Sequence, residues 1–276
     1  MSTKLRAQPG EFFYRHAGPR DGAPSMVHIH GFAISGSYLL PTAALLTDDF
    51  DTYVPDLPGY GRTPGPRRPL GITALADSVV EFLDSVGLER TTLVGNSMGC
   101  PVIGRLSERH PDRVERAILV SPAGGMHSRP LGRGLSQLAV DGLREPPSLI
   151  KTAGPDYVRF GILNGIRLFS EMTQSPTIEL LMRTEVPLLV VLGSRDPLLP
   201  GRKRIAELAP IVDGRGNLGI VRMNGPAHAI NFSHPETLAQ VIRAYMADPR
   251  FTDPSQLPDD VEVLARPHGG SATDLQ

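Results

Sequence analysis

Thr91-Thr92-Leu93-Val94-Gly95-Asn96-Ser97-Met98-Gly99-Cys100-Pro101-Val102-Ile103 is the stretch whose reading decides the fold. An apolar, β-branched run ends at Gly95, and a helical pattern starts at Met98, so Ser97 stands at a tight strand-to-helix turn. Glycines two residues before and two residues after the serine let neighbouring backbone approach without a Cβ clash. At the helix N-terminus, free N–H groups and the positive end of the helix dipole favour a developing oxyanion, so Ser97 is a candidate nucleophile.

Working outward, short apolar runs alternate with helical patterns, the signature of strand-helix-strand units and a mostly parallel sheet. Strands are predicted at 25–30, 51–55, 91–95, 117–121, 188–192 and 218–223, and helices at 38–46, 72–86, 98–110, 202–208 and 235–246. Leu188-Leu189-Val190-Val191-Leu192 is continuous rather than alternating, as a strand buried on both faces should be. Leu75, Val79, Phe82, Leu83 and Val86 recur at three- and four-residue spacing and give one apolar stripe. The rhythm breaks at 124–185, where helical patterns follow one another; Leu131, Leu135, Leu138 and Ala139, then Phe160, Leu163, Ile166 and Phe169, are apolar positions that pack down on the sheet or line a pocket, packing being the preferred reading. The expected organisation is an α/β core from 1–123 and 186–250, a helical cap at 124–185, and an irregular tail at 251–276. Prolines at 254, 258 and 267 with Gly269-Gly270 suggest a tail whose removal costs little stability.

With 276 residues and 40% hydrophobic content, the chain can bury one large core. Twenty-eight Lys and Arg against 29 Asp and Glu leave a net charge of −1, which provides no field for nucleic acid or an anionic membrane. The N-terminus lacks an apolar signal region and no run of about 18 apolar residues occurs, so the expected location is the cytoplasm. The single cysteine, Cys100, reads as a small buried hydrophobe, and the histidines lack metal-ligand spacing. The expectation is therefore a small-molecule substrate and no cofactor or metal, with homo-oligomerisation left open.

Two further polar residues follow the serine in a telling order. Asp196 lies in Gly193-Ser194-Arg195-Asp196-Pro197 just beyond a predicted strand, and His228 lies in Gly225-Pro226-Ala227-His228-Ala229 after the next. His30-Gly31-Phe32 follows the first strand, and Asp56-Leu57-Pro58-Gly59-Tyr60-Gly61-Arg62-Thr63 the second. From about residue 11 to 246 the chain resembles the α/β-hydrolase superfamily, whose serine, acid, histidine order is met by Ser97, Asp196 and His228. The resemblance implies a mostly parallel sheet flanked by helices with a helical cap insertion, and an oxyanion hole from the N–H groups of Phe32 and Met98. It gives His30 a structural part in the oxyanion loop rather than a proton-transfer role.

Serine at the turn separates this chain from the subgroups that resemble haloalkane dehalogenases and epoxide hydrolases, which carry aspartate there. Esterases, lactonases and perhydrolases remain, as do carbon-carbon hydrolases of ring-fission dienones. The Asn96-Ser97 pair and Ser121-Pro122-Ala123-Gly124-Gly125 are similar to the last group, whereas Phe32-Ala33-Ile34 and Ala229 depart from its glycine-rich loop and its tryptophan after the histidine. For a dienone acid, the candidate substrate contacts are His30 and Asn96 in the core and Arg159 and Arg167 on the cap, since a guanidinium grips a carboxylate. The ester reading is preferred because it needs only the triad and two oxyanion donors. A non-catalytic receptor on the same fold is the alternative of another class; an intact triad argues against it.

Overall fold

The computed structural model describes residues 6–8, 11–19, 22–122, 131–174, 184–199 and 216–267. Nine strands form one sheet: β1 (Arg6–Gln8), β2 (Tyr14–Ala17), β3 (Ser25–Ile29), β4 (Asp51–Pro55), β5 (Thr91–Asn96), β6 (Val114–Val120), β7 (Leu188–Gly193), β8 (Leu218–Met223) and β9 (Val261–Ala265). Their spatial order is β1-β2-β4-β3-β5-β6-β7-β8-β9; β3 to β8 run parallel, and β1, β2 and β9 pair antiparallel at the two edges.

Alternation along each parallel strand divides the interior in two. Val27, Ile29, Leu93, Leu119, Leu188, Val190 and Leu192 pack on one face with helices α2 (Ile72–Ser85) and α3 (Gly99–Arg109). Met26, Val94, Ile118, Val120, Leu189 and Val191 pack on the other, with α1 (Leu40–Leu46) and α8 (Pro235–Ala247). Because both faces are covered, each strand reads as a continuous apolar run. Between β6 and β7 the chain inserts α4 (Leu131–Arg144), α5 (Pro147–Phe160) and α6 (Ile162–Gln174); the short α7 (Ile230–Ser233) precedes α8.

From β3 the chain moves to β4 on one side and then returns to β5 on the other. The loops after β3 and β5 therefore part in opposite directions, opening a crevice at the carboxyl ends of the strands, where sheets of this kind assemble their sites.

Several elements differ from the sequence expectation. The edge strands β1 and β2 were not anticipated, because three- and four-residue strands with Arg, Gln and His among them lack an apolar run. The predicted helix at 38–46 opens with a 3-10 turn, Gly36–Leu39, before α1. The predicted helix at 202–208 lies outside the described residues. In the insertion, Leu138 and Phe169 face inward, but Leu135, Leu163 and Ile166 are exposed. Among the described residues no helix is long and apolar enough to cross a membrane.

The irregular tail expected at 251–276 needs correction. Pro254 and Pro258 sit in the turn before β9 and Pro267 lies after it, so the prolines bracket a strand rather than break one. Phe251 is buried against Tyr245, and Val261 and Val263 pack on the core beneath β8. Deleting residues 254–276 is accordingly expected to cost on the order of 3 kcal/mol of buried apolar contact. A thermal melt should show this as a fall in Tm of roughly 6–12 °C.

Candidate active site

Ser97 leaves β5 with φ at 56°, a left-handed conformation that is uncommon for a residue with a side chain. Its N–H donates to the Val120 carbonyl at 3.1 Å, which ties the turn to β6. The flanking glycines are required by contact. A Cβ on Gly95 would lie 2.8 Å from the Gly99 backbone, and one on Gly99 would lie 2.4 Å from the Ile29 carbonyl oxygen. Gly31, in the loop after β3, is pressed against the Tyr38 hydroxyl and the Ser97 Cβ.

Two loops bring an acid and an imidazole to the serine. Asp196 turns just beyond β7; its Oδ1 accepts the Leu198 N–H at 2.8 Å, and its Oδ2 lies 2.7 Å from His228 Nδ1. The Arg195 N–H donates to the Pro226 carbonyl at 3.0 Å, so the acid and histidine loops hold each other. His228 and Asp196 are both buried, and His228 Nε2 has no hydrogen-bond partner among the described residues. Ser97 and His228 line one cavity, with no hydrogen bond yet formed between Oγ and Nε2; such bonds are often loose in an unliganded site. Burial alone would push the imidazole down, but Asp196, through charge and hydrogen bond, and then Asp141 and Glu145, more than offset that and raise His228 to about 9.

Phe32 and Met98 stand where oxyanion donors are expected. Phe32 follows Gly31 and lines the cavity, Met98 caps the N-terminus of α3, and among the described residues neither N–H donates elsewhere. Ala33 next to Phe32 has φ at 59°, the backbone shape for which a glycine-rich loop would serve.

A hydrogen-bonded chain missed in the sequence connects these loops. The Gly31 N–H donates to the Tyr38 hydroxyl at 2.8 Å, and that hydroxyl donates to Asn96 Oδ1 at 2.6 Å. Asn96 Nδ2 then donates to the carbonyls of Val120 and His228. Asn96 does line the cavity, yet one of its donors fastens the histidine loop and the other the end of β6, which leaves none to hold a substrate.

The other proposed contacts move away from the pocket. His30 is fully buried outside the cavity lining: Nδ1 donates to the Gly31 carbonyl and Nε2 accepts the Leu57 N–H, so the ring braces two loops. Arg159 and Arg167 are exposed and absent from the lining, and Arg159 Nη1 donates to the Gly61 carbonyl at 3.0 Å. Cys100 is buried with its thiol toward the Gly95 carbonyl, and burial pushes its pKa well up, which removes it as a rival nucleophile.

The cavity itself has about 70 Å³ of space, walled by Phe32, Ile34, Leu138, Leu149, Phe169 and Met172 among others. All three inserted helices contribute to the lining, which among the described residues contains the carboxylate Asp141 but no Lys or Arg. Asp141, Glu145 and Tyr38 are the residues that sequence reasoning missed. The one available signal was a pair of acids four residues apart at the C-terminal end of α4 and the turn after it.

Parallel sheet, strained serine turn and helical insertion define the α/β-hydrolase fold. Residues 24–139 match the alpha/beta hydrolase fold family, and the architecture of the chain is that fold. It is 36% identical over 108 residues to carboxylesterase YbfK of Bacillus subtilis, a match covering 39% of this chain and 36% of that protein. The first curated relatives are thus matched over about a third of their length. The crystal structure of that carboxylesterase superposes with a TM-score of 0.63 at 20% identity, covering 89% of this chain and 92% of the other. The structure of E-2-(acetamidomethylene)succinate hydrolase gives a TM-score of 0.71 at 16% identity, over 88% and 99%.

Proposed function

We propose that this protein is a serine hydrolase of small carboxylic esters or lactones, working through an acyl-enzyme on Ser97. The observation that carries the reading is the 2.7 Å bond from Asp196 to His228 Nδ1, which leaves Nε2 unpartnered in the cavity that Ser97 lines. His228 takes the proton of Ser97 as Oγ attacks the carbonyl, Asp196 holds the tautomer, and the N–H groups of Phe32 and Met98 receive the oxyanion. The leaving group departs with the proton from His228; water activated by the same base then releases the acid.

Cavity charge favours this reading over cleavage of a dienone acid. A carboxylate head group requires a cation or several donors, whereas here the lining, among the described residues, holds Asp141, no Lys or Arg, and an Asn96 whose donors are already used.

The test is hydrolysis of p-nitrophenyl acetate, p-nitrophenyl laurate and a ring-fission dienone, alongside labelling by a fluorophosphonate. Acetate is expected to exceed laurate by more than about tenfold because the acyl space is small, and the dienone should turn over least. The acid limb of kcat/KM also has a predicted sign. Only neutral imidazole can accept the serine proton, so activity is present above the His228 pKa and lost as pH falls through it, which places the limb near 9 rather than 6.5. Absence of both a covalent adduct and ester turnover would favour a receptor, and a dienone preference would favour the carbon-carbon hydrolase.

A further inference from the structure

Among residues 131–174, the described part of the insertion, there are four acidic side chains, three on the helices and Glu145 in the turn after α4, and each accepts a backbone N–H of the body. Asp156 takes the N–H of Ser35 at 2.8 Å and Glu171 that of Ile72 at 3.1 Å. Asp141 takes the N–H of His228 at 3.1 Å and Glu145 that of Ala229 at 2.6 Å. The five basic side chains of the same helices, Arg133, Arg144, Lys151, Arg159 and Arg167, are all exposed. The insertion is therefore fastened to the body by carboxylates that grip amides around the cavity.

Two of these four grips fall on consecutive residues of the histidine loop. Asp141 and Glu145 lie four residues apart, on one face of α4 and the turn that follows it, so a single seating of that helix makes both bonds. We propose that Asp141 and Glu145 are positioning residues that couple seating of the helical insertion to placement of the His228 ring for proton transfer. The inference rests on the reading of His228 as the base.

The cavity is small and all three helices wall it, so in this proposal the insertion lifts to admit substrate to Ser97. Lifting α4 removes the acceptors of both amides. The histidine loop then keeps the Pro226 carbonyl bond from Arg195, the Asn96 bond to the His228 carbonyl and the ring bond to Asp196. Reseating restores the two amide bonds and fixes the loop, so the base is completed only once the substrate is enclosed. The ionisable groups facing His228 are Asp196 from the loop after β7 and Asp141 and Glu145 from α4; Tyr157 of α5 faces the latter two. Burial holds both cap carboxyls above their ordinary range, Asp141 at about 6, and in their charged form they raise His228.

The test measures kcat, KM and the pH profile with p-nitrophenyl acetate for Asp141→Ala, Asp141→Asn, Glu145→Ala and Glu145→Gln, with melting temperatures recorded. Asp141→Ala and Glu145→Ala are expected to lower kcat by about 10- to 100-fold, as a misplaced catalytic group does, with KM nearly unchanged. Asp141→Asn keeps an acceptor oxygen and should recover most of kcat, while loss of its charge moves the acid limb to lower pH. Wild-type kcat and an unmoved acid limb in the alanine variants would overturn the proposal. If an alanine variant does not fold, the acid limb of the Asn and Gln variants decides it: a shift supports the coupling, and no shift refutes it. Ser97→Ala separates the two claims, since full activity there defeats the triad reading itself, whereas an inactive Ser97→Ala beside wild-type-like Asp141→Ala defeats only the coupling.

Discussion

Replacing Ser97 by alanine is expected to lower kcat/KM for p-nitrophenyl acetate by about four to six orders of magnitude, and His228→Ala should do the same. The two losses should not add. Without Nε2 the Ser97 hydroxyl keeps its proton, and without Oγ there is nothing for Nε2 to activate, so the double variant should be no worse than either alone. Some catalysis over water should survive in all three, because the N–H groups of Phe32 and Met98 remain in place to stabilise an oxyanion attacked directly by water. The measurement is steady-state turnover on protein whose melt matches the parent. Retention of even a tenth of the activity in Ser97→Ala would defeat the assignment.

How much of this was readable from the sequence depends on how local the cause is. The six parallel strands show themselves because burial on both faces demands continuous apolar runs, and Leu188 to Leu192 satisfies that demand without reference to anything distant. The turn at Ser97 is equally local, since Gly95 and Gly99 answer contacts set by β5, α3 and β3. The site's supporting contacts are not local. Tyr38 reaches Asn96 across 58 residues and Asp141 reaches the His228 amide across 87, and no periodicity carries such pairings. Arg159 and Arg167 were read as substrate contacts from their charge, yet the inward positions of α4 carry acceptors for backbone amides and the guanidinium groups face solvent. β9 was hidden by composition: proline density reads as disorder until the prolines are seen to stand on either side of Val261–Ala265.

Asp196→Asn is expected to reduce the plateau of kcat/KM by about three to four orders of magnitude while moving the acid limb to lower pH. The two effects have one origin. As a carboxylate, Asp196 accepts the Nδ1 proton at 2.7 Å, which keeps the lone pair on Nε2, where the cavity and Ser97 are. An amide at that position can turn its NH₂ toward Nδ1, stabilising the tautomer whose proton sits on Nε2, and such a ring cannot take the serine proton. The same substitution removes the principal influence that opposes burial and lifts His228 to about 9, so the ring loses its proton at lower pH. A fall in rate together with a downward-shifted limb therefore marks Asp196 as the orienting acid. Asp141, the nearest rival carboxylate, touches the His228 main-chain N–H and not the ring, so Asp141→Asn leaves the tautomer unchanged and should keep most of the rate. If the two variants exchanged these behaviours, with Asp141→Asn nearly inactive and Asp196→Asn nearly normal, the acid of the triad would be Asp141.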